Sequence, residues 1–265
     1  MTVDKSQGFI TLVRLGYAAR GVVYILLGYM ALSTQGDARE GASSVFDYLQ
    51  EVPLGSAILW LVALGLLAYA GFKLISAIGD IQHRGSKPKG ALKRVGDAAS
   101  GVAHLFLAYA AYQFATGAKH AAEGGQSQQM AGSVMDWSVG GFALGIVGLG
   151  FIFGALMQAK SAVTADFMKH IDGRAPTGVE AVGRAGSGAR AVVFALIGWS
   201  LVQSAWLSQS DKVKGLGEAV LALRDNGMIY TLVAVGLLLF GVFSLIMARY
   251  RIIPDFEKSD LKPRV

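Results

Sequence analysis

Six stretches of the chain carry no charged residue: 21–36, 54–72, 98–118, 137–159, 191–210 and 226–248. They run 16, 19, 21, 23, 20 and 23 residues. A helix rising about 1.5 Å per residue needs roughly 20 residues to cross about 30 Å of hydrocarbon. Five stretches meet that length, and the first does once its flank is counted. The connections between them run 17, 25, 18, 31 and 15 residues, too short for a separate catalytic or ligand-binding domain. The pattern predicts an all-α polytopic membrane protein, six transmembrane helices in one membrane domain over 1–265. Composition agrees: 53% of residues are hydrophobic, 16% are charged and mean hydropathy is +0.47, which excludes a soluble fold. With no cysteine there is no disulfide framework and no thiolate site.

Lysine and arginine gather on the cytoplasmic side of membrane proteins. Of the 24 basic residues, 19 fall in the N-terminal segment, the second and fourth connections with their helix ends, and the tail. The opposite side keeps only Arg39, Lys119, Lys212, Lys214 and Arg224. This predicts a bacterial cytoplasmic membrane protein with both termini cytoplasmic. The first span also reads as a signal peptide, with a basic segment before an apolar run ending near Ala31 and Ser33. Its match to two later helices argues against removal.

That match is an internal repeat. Arg14-Leu-Gly16-Tyr17-Ala-Ala-Arg20-Gly21-Val-Val-Tyr24 recurs as Arg94-Val-Gly96-Asp97-Ala-Ala-Ser100-Gly101-Val-Ala-His104 and as Arg184-Ala-Gly186-Ser187-Gly-Ala-Arg190-Ala191-Val-Val-Phe194. The second helices repeat too, Gly65 with Gly150 and Gly236, and Lys73 with Gln158 and Ser244. The unit is a two-helix hairpin occurring over 12–79, 92–160 and 182–250. An even number of spans per unit inserts every copy in the same sense, which predicts a pseudo-threefold arrangement and disfavours inverted-repeat transporters. These residues resemble a family of bacterial multi-pass proteins, domain of unknown function 1206, built of three two-helix repeats. The resemblance covers roughly 10–248 and implies the fold; it supplies no activity. The middle copy departs from the motif at Ser100 and His104. Mitochondrial carriers also hold three two-helix repeats, but their proline, acidic and basic signature closing each odd helix is missing here.

Residues four apart share a helix face, so Gly16, Arg20, Tyr24 and Gly28 form a stripe, repeated through Ser100 and His104 and through Arg190. Counted from Arg14, Arg20 lies about 9 Å deeper, and His104 lies about 15 Å beyond Arg94. Charges in hydrocarbon cost about 2.5 to 3.5 kcal/mol, which makes Arg20, Arg190 and His104 the first candidates for function. Two other accounts compete. The arginines can snorkel to lipid phosphates beside glycines that serve helix packing, and His104 can be a buried, hydrogen-bonded histidine. Lys73 is expected to snorkel to the inner surface, or else to face the arginines with Gln158 and Ser244 across a vestibule. Asp97 reads as a helix-start acid.

The outer connections hold two amphipathic patterns, Val45, Leu49, Val52 and Leu216, Val220, Leu223, predicting short interfacial helices, the first capped by Ser44 with Asp47. The middle connection, 124–133, is rich in glycine and glutamine and lacks that spacing. His83, His120 and His170 sit in different loops without metal-ligand spacing, and no cofactor or nucleic-acid motif is present. The expectation is a non-catalytic structural or partner-binding membrane component, contacting anionic lipid headgroups through its cytoplasmic loops and an unidentified membrane protein as partner. The alternative is a small-solute or ion channel or transporter whose inner vestibule is lined by Arg20, Ser100, Arg190, His104, Lys73 and Gln158.

Overall fold

The computed structural model describes residues 5–33, 42–79, 88–118 and 126–253. Most of each apolar stretch lies in a helix that extends past one end of it into a polar flank: α1 (Lys5–Ser33), α3 (Gly55–Gly79), α4 (Pro88–Ala115), α6 (Gly140–Thr164), α7 (Val179–Leu207) and α9 (Gly227–Tyr250). Shorter helices α2 (Ala42–Glu51), α5 (Gln126–Met135) and α8 (Leu216–Leu221) lie in the first, third and fifth connections. Five long helices, α1 from Ile10, α3, α6, α7 and α9, are long and apolar enough to cross a membrane. At 28 residues α4 has the length, but His104, Tyr109, Tyr112 and Gln113 dilute its apolar character.

Two expectations for the short helices change. The glutamine-rich middle connection does form a helix, α5, because glutamine is a good helix former and Gln128 is held from outside. Its Nε2 donates to Val213 O and to Glu218 Oε1, both at 2.7 Å. Ser44 is not an N-cap, since α2 begins two residues earlier at Ala42. The amphipathic face of α2 is buried as its spacing predicts, with Val45, Phe46 and Leu49 at 5% exposure or less.

Neighbouring long helices run antiparallel. The Tyr230 hydroxyl at the start of α9 bonds Ala31 O at the end of α1, and Ser56 at the start of α3 bonds Ala115 O at the end of α4 (2.9 Å). Main interfaces join α4 to α3, α3 to α1, α1 to α9, α9 to α7 and α7 to α6. Both ends of the described chain therefore lie at one end of the bundle.

Glycines set how closely these helices approach. A Cβ on Gly28 would stand 2.7 Å from Leu238 N, and one on Gly198 would stand 2.8 Å from Gly148 O. Within the first hairpin a Cβ on Gly16 would lie 2.6 Å from Tyr69 Cβ, and one on Gly65 would lie 2.6 Å from Ala19 Cβ. The third hairpin repeats both contacts, Gly186 against Phe240 and Gly236 against Ala189. The second does not. Its counterparts Gly96 and Gly150 have nothing within 4 Å, and among the described residues α4 and α6 share no main interface. The long helices thus form an arc, α4–α3–α1–α9–α7–α6, with the second hairpin spread at its ends. The apolar window of α6 is accordingly 22% buried, against 44–50% for the other four.

Substitution should report this difference. Gly28→Ala drives a methyl into α9 backbone and is expected to destabilise the purified protein by about 1–3 kcal/mol, as overpacking does. Gly150→Ala meets open space and should be neutral or stabilising by up to about 1 kcal/mol through helix propensity. Chemical unfolding in detergent measures both.

Candidate functional site

At the depth of the sequence stripe, polar groups from α1, α3, α4, α7 and α9 meet around aromatic rings. Arg20, 8% exposed, donates from Nε to Ser244 Oγ (3.1 Å) and from Nη1 to Tyr69 Oη (2.7 Å). The hydroxyl of Ser244 in turn donates to Phe240 O (2.8 Å). The Arg20 guanidinium also lies 4.8, 5.0 and 4.9 Å from the ring centres of Tyr17, Tyr69 and Phe240. Arg190 approaches Phe240 (4.4 Å), Phe194 (4.6 Å) and Tyr24 (5.6 Å). One ring, Phe240, therefore serves both arginines, and Tyr24 stands edge-on to it at 4.9 Å.

These contacts offset much of the cost of placing cations here. A desolvated cation–π contact contributes about 2 kcal/mol, and a hydrogen bond to a charged group about 1.5–3 kcal/mol. Arg20 has both kinds of contact. Arg190 relies mainly on rings, and its buried Nε has no hydrogen-bond partner among the described residues.

Lys73 does not reach for lipid phosphate. Its Nζ pairs with Asp97 Oδ1 at 2.7 Å, the two side chains being 15% and 6% exposed. Asp97 is thus no helix-start acid: α4 begins at Pro88, nine residues before it, and carries the carboxylate into the bundle. His104 shares Nδ1 with Ser100 O at 2.7 Å and packs on Tyr69 with ring centres 4.6 Å apart. A carbonyl only accepts, so Nδ1 carries the proton in that bond.

The structure gathers Arg20, Arg190, Lys73 and His104 around Tyr69 and Phe240. Ser100 joins through its carbonyl. Gln158, half-buried on α6, has no hydrogen bond among the described residues. His83 and His120 lie outside the described residues. Among those described, no three acids or histidines gather as a metal site. Sequence reasoning did not place Tyr69, Phe240 or Asp97 in this cluster. A signal for Asp97 existed: it is the one acid within the repeated motif, where the other copies have Tyr17 and Ser187.

Two open pockets lie toward the ends of the bundle. One of about 650 Å3 is at the end carrying the termini, lined by Arg14 and Arg249, and one of about 540 Å3 is at the opposite end, lined by Gln128 and Glu218.

Breaking the ion pair should be costly. Lys73→Met leaves Asp97 buried without its cation and is expected to destabilise by about 3 kcal/mol, whereas Lys73→Met with Asp97→Leu should recover most of that loss. Unfolding of the two single variants and the double variant completes the cycle.

Comparison with known proteins accords with the repeat. Uncharacterized protein YxxB of Bacillus subtilis (strain 168) is 32% identical over 249 residues, covering 90% of each chain. No solved structure matches. The family described as Domain of Unknown Function (DUF1206) matches three times, over 15–80, 95–165 and 185–251, once for each hairpin. The chain is a multi-helix membrane protein with three tandem repeats, and it belongs to the DUF1206 family.

Proposed function

We propose that this protein is a non-catalytic, six-span component of the bacterial cytoplasmic membrane, both termini cytoplasmic, that holds a transmembrane helix of a partner protein in its second hairpin. Its basic terminal end faces anionic lipid headgroups. In this reading three hairpins stand about a pseudo-threefold axis, and α4 crosses the membrane like its counterparts.

One observation carries the proposal. Gly96 and Gly150 keep the small residues that receive the opposing helix in hairpins one and three, yet nothing among the described residues comes within 4 Å of the place of a Cβ at either. Lipid chains gain little from a glycine face, whereas a helix backbone gains close van der Waals contact there. The occupant that fits is an apolar helix with small residues facing α6.

The engagement of the buried cations supports the same reading over conduction. Arg20 and Arg190 are stacked on rings and Lys73 is paired with Asp97, so three of the groups expected to line a vestibule are taken up by neighbouring helices.

The test is stoichiometric co-purification from native membranes. A membrane partner should accompany the unaltered chain and be lost from Gly150→Leu, with the melting temperature unchanged. The chain has no cysteine, so Gly96→Cys with Gly154→Cys reports the rival outcome. Rapid disulfide formation in membranes, with nothing co-purifying, would mean that the hairpin closes on itself, and the docking proposal would fail.

A further inference from the structure

The arginine that opens each repeat is engaged in two of its three copies. Arg94 donates from Nε to Ala77 O (2.7 Å) and from Nη2 to Ile78 O (2.9 Å), closing the end of α3. Arg184 does the same for α6, donating from Nη1 to Val163 O (2.6 Å) and Ala162 O (3.3 Å). By register Arg14 belongs to the end of α9. That end is finished differently: Asp172 N–H donates to Tyr250 O (2.8 Å), Ile252 N–H donates to His170 O (2.9 Å), and Ile171 bridges Arg251 antiparallel.

Arg14 is consequently exposed, with no hydrogen bond or ion pair among the described residues. It lines the cavity of about 650 Å3 together with Asp172, Arg174, Arg249 and Arg251. Among the described residues the one carboxylate in that lining, Asp172, is already committed. Arg174 binds Asp172 in a fork, Nε to Oδ1 at 3.0 Å and Nη2 to Oδ2 at 2.7 Å. These bonds hold the Asp172 carboxyl down to about 2, so it stays ionised and clasped at any neutral pH. Arg249 is exposed and has no such partner among the described residues. Arg251 lies 5.4 Å from the Tyr17 ring centre, and its buried Nε has no acceptor. Three of the four guanidinium groups in this lining, those of Arg14, Arg249 and Arg251, thus have no carboxylate partner among the described residues.

We infer that this cavity is a phosphate-binding site formed by Arg14, Arg249 and Arg251. Guanidinium donors match phosphate oxygens in pairs, and several converging on one group are what a phosphate selects over a single positive charge. Two sources carry that chemistry, the headgroup of an acidic phospholipid and a soluble phosphate. The site deepens the lipid contact proposed above but uses none of the residues of the partner-helix proposal.

The full chain is placed in nanodiscs of phosphatidylcholine containing spin-labelled phosphatidic acid, and separately in phosphatidylcholine alone titrated with inorganic pyrophosphate. The variants are Arg14→Gln with Arg249→Gln, and as control Lys160→Gln with Lys169→Gln, which removes two charges from the same end. All four positions are exposed, so folding is not at stake. The arginine pair should weaken binding of the phosphate probe about tenfold or more, and the lysine pair less than twofold. Immobilised phosphatidic acid alone assigns the headgroup, and saturable pyrophosphate binding assigns a soluble ligand. The site is refuted if neither probe binds the unaltered chain. It is equally refuted if both double variants lose binding to the same degree, an outcome that leaves the general attraction to anionic lipid intact.

Discussion

Helices surrounded by lipid gain little from burying apolar side chains against one another, so their association depends on how closely their backbones can approach. In this protein that approach is set at a few glycines. Gly21 and Gly28 on α1 meet Gly241 and Leu238 on α9, and Gly148 meets Gly198 across α6 and α7. These contacts fix the axial register of helices far apart in the chain. Once α1 and α9 are locked, Arg20 has little choice but to meet Ser244, 224 residues away. The polar cluster is a consequence of the packing and cannot be understood apart from it.

The same register explains a substitution that looks like a loss. The middle repeat has Ser100 where the others have Arg20 and Arg190, which taken alone removes a cation from the stripe. In the folded chain α4 packs against α3, and α3 carries Lys73 where the second helices of the other repeats have Gln158 and Ser244. Two interfaces between repeats therefore keep a cation, Arg20 on α1 against Ser244 of α9 and Lys73 on α3 against Asp97 of α4, whereas Arg190 on α7 stacks on Phe240 of α9 and Tyr24 of α1. Between α3 and α4 the cation has moved to the opposite helix. Lysine has no planar group to stack as arginine does, and Asp97 supplies the compensation that rings supply to the arginines.

Helix positions, tandem hairpins and the stripe could be read from the sequence because apolar length and fixed offsets are properties of a single chain segment. The partners could not. Depth on α3 alone points Lys73 to snorkelling; what overrides it is a carboxylate on a different helix, whose one mark in the sequence is that Asp97 is the acid standing in register with Tyr17 and Ser187. The polarity of α4, which separates it from the other five long helices, was visible as His104 and Gln113, but its cause lies in contacts with α3 such as the stacking of His104 on Tyr69. The middle outer helix was obscured because α5 is held by Gln128 reaching across to Val213 and Glu218, and not by an apolar face of its own.

A threefold repeat carries its own internal control, since whatever the packing requires should be present in every copy. Closure of the hairpin on its glycines occurs twice and is missing once, at α4 and α6. Capping of a repeat's second helix by the arginine that opens another repeat occurs at Arg94 on α3 and at Arg184 on α6 and is missing at Arg14. Neither departure arises from loss of the residues concerned, because Gly96, Gly150 and Arg14 are all present in register. A residue kept where its structural task has been removed is free for another, and the fold identifies both places without reference to any ligand. At the end of α9 the task was taken over by backbone bonds from Asp172 and Ile252, which need no side chain from α1. That exchange leaves a guanidinium beside those of Arg249 and Arg251 in a cavity where, among the described residues, the one carboxylate is already bound by Arg174, so the local charge balance is left open toward an anion.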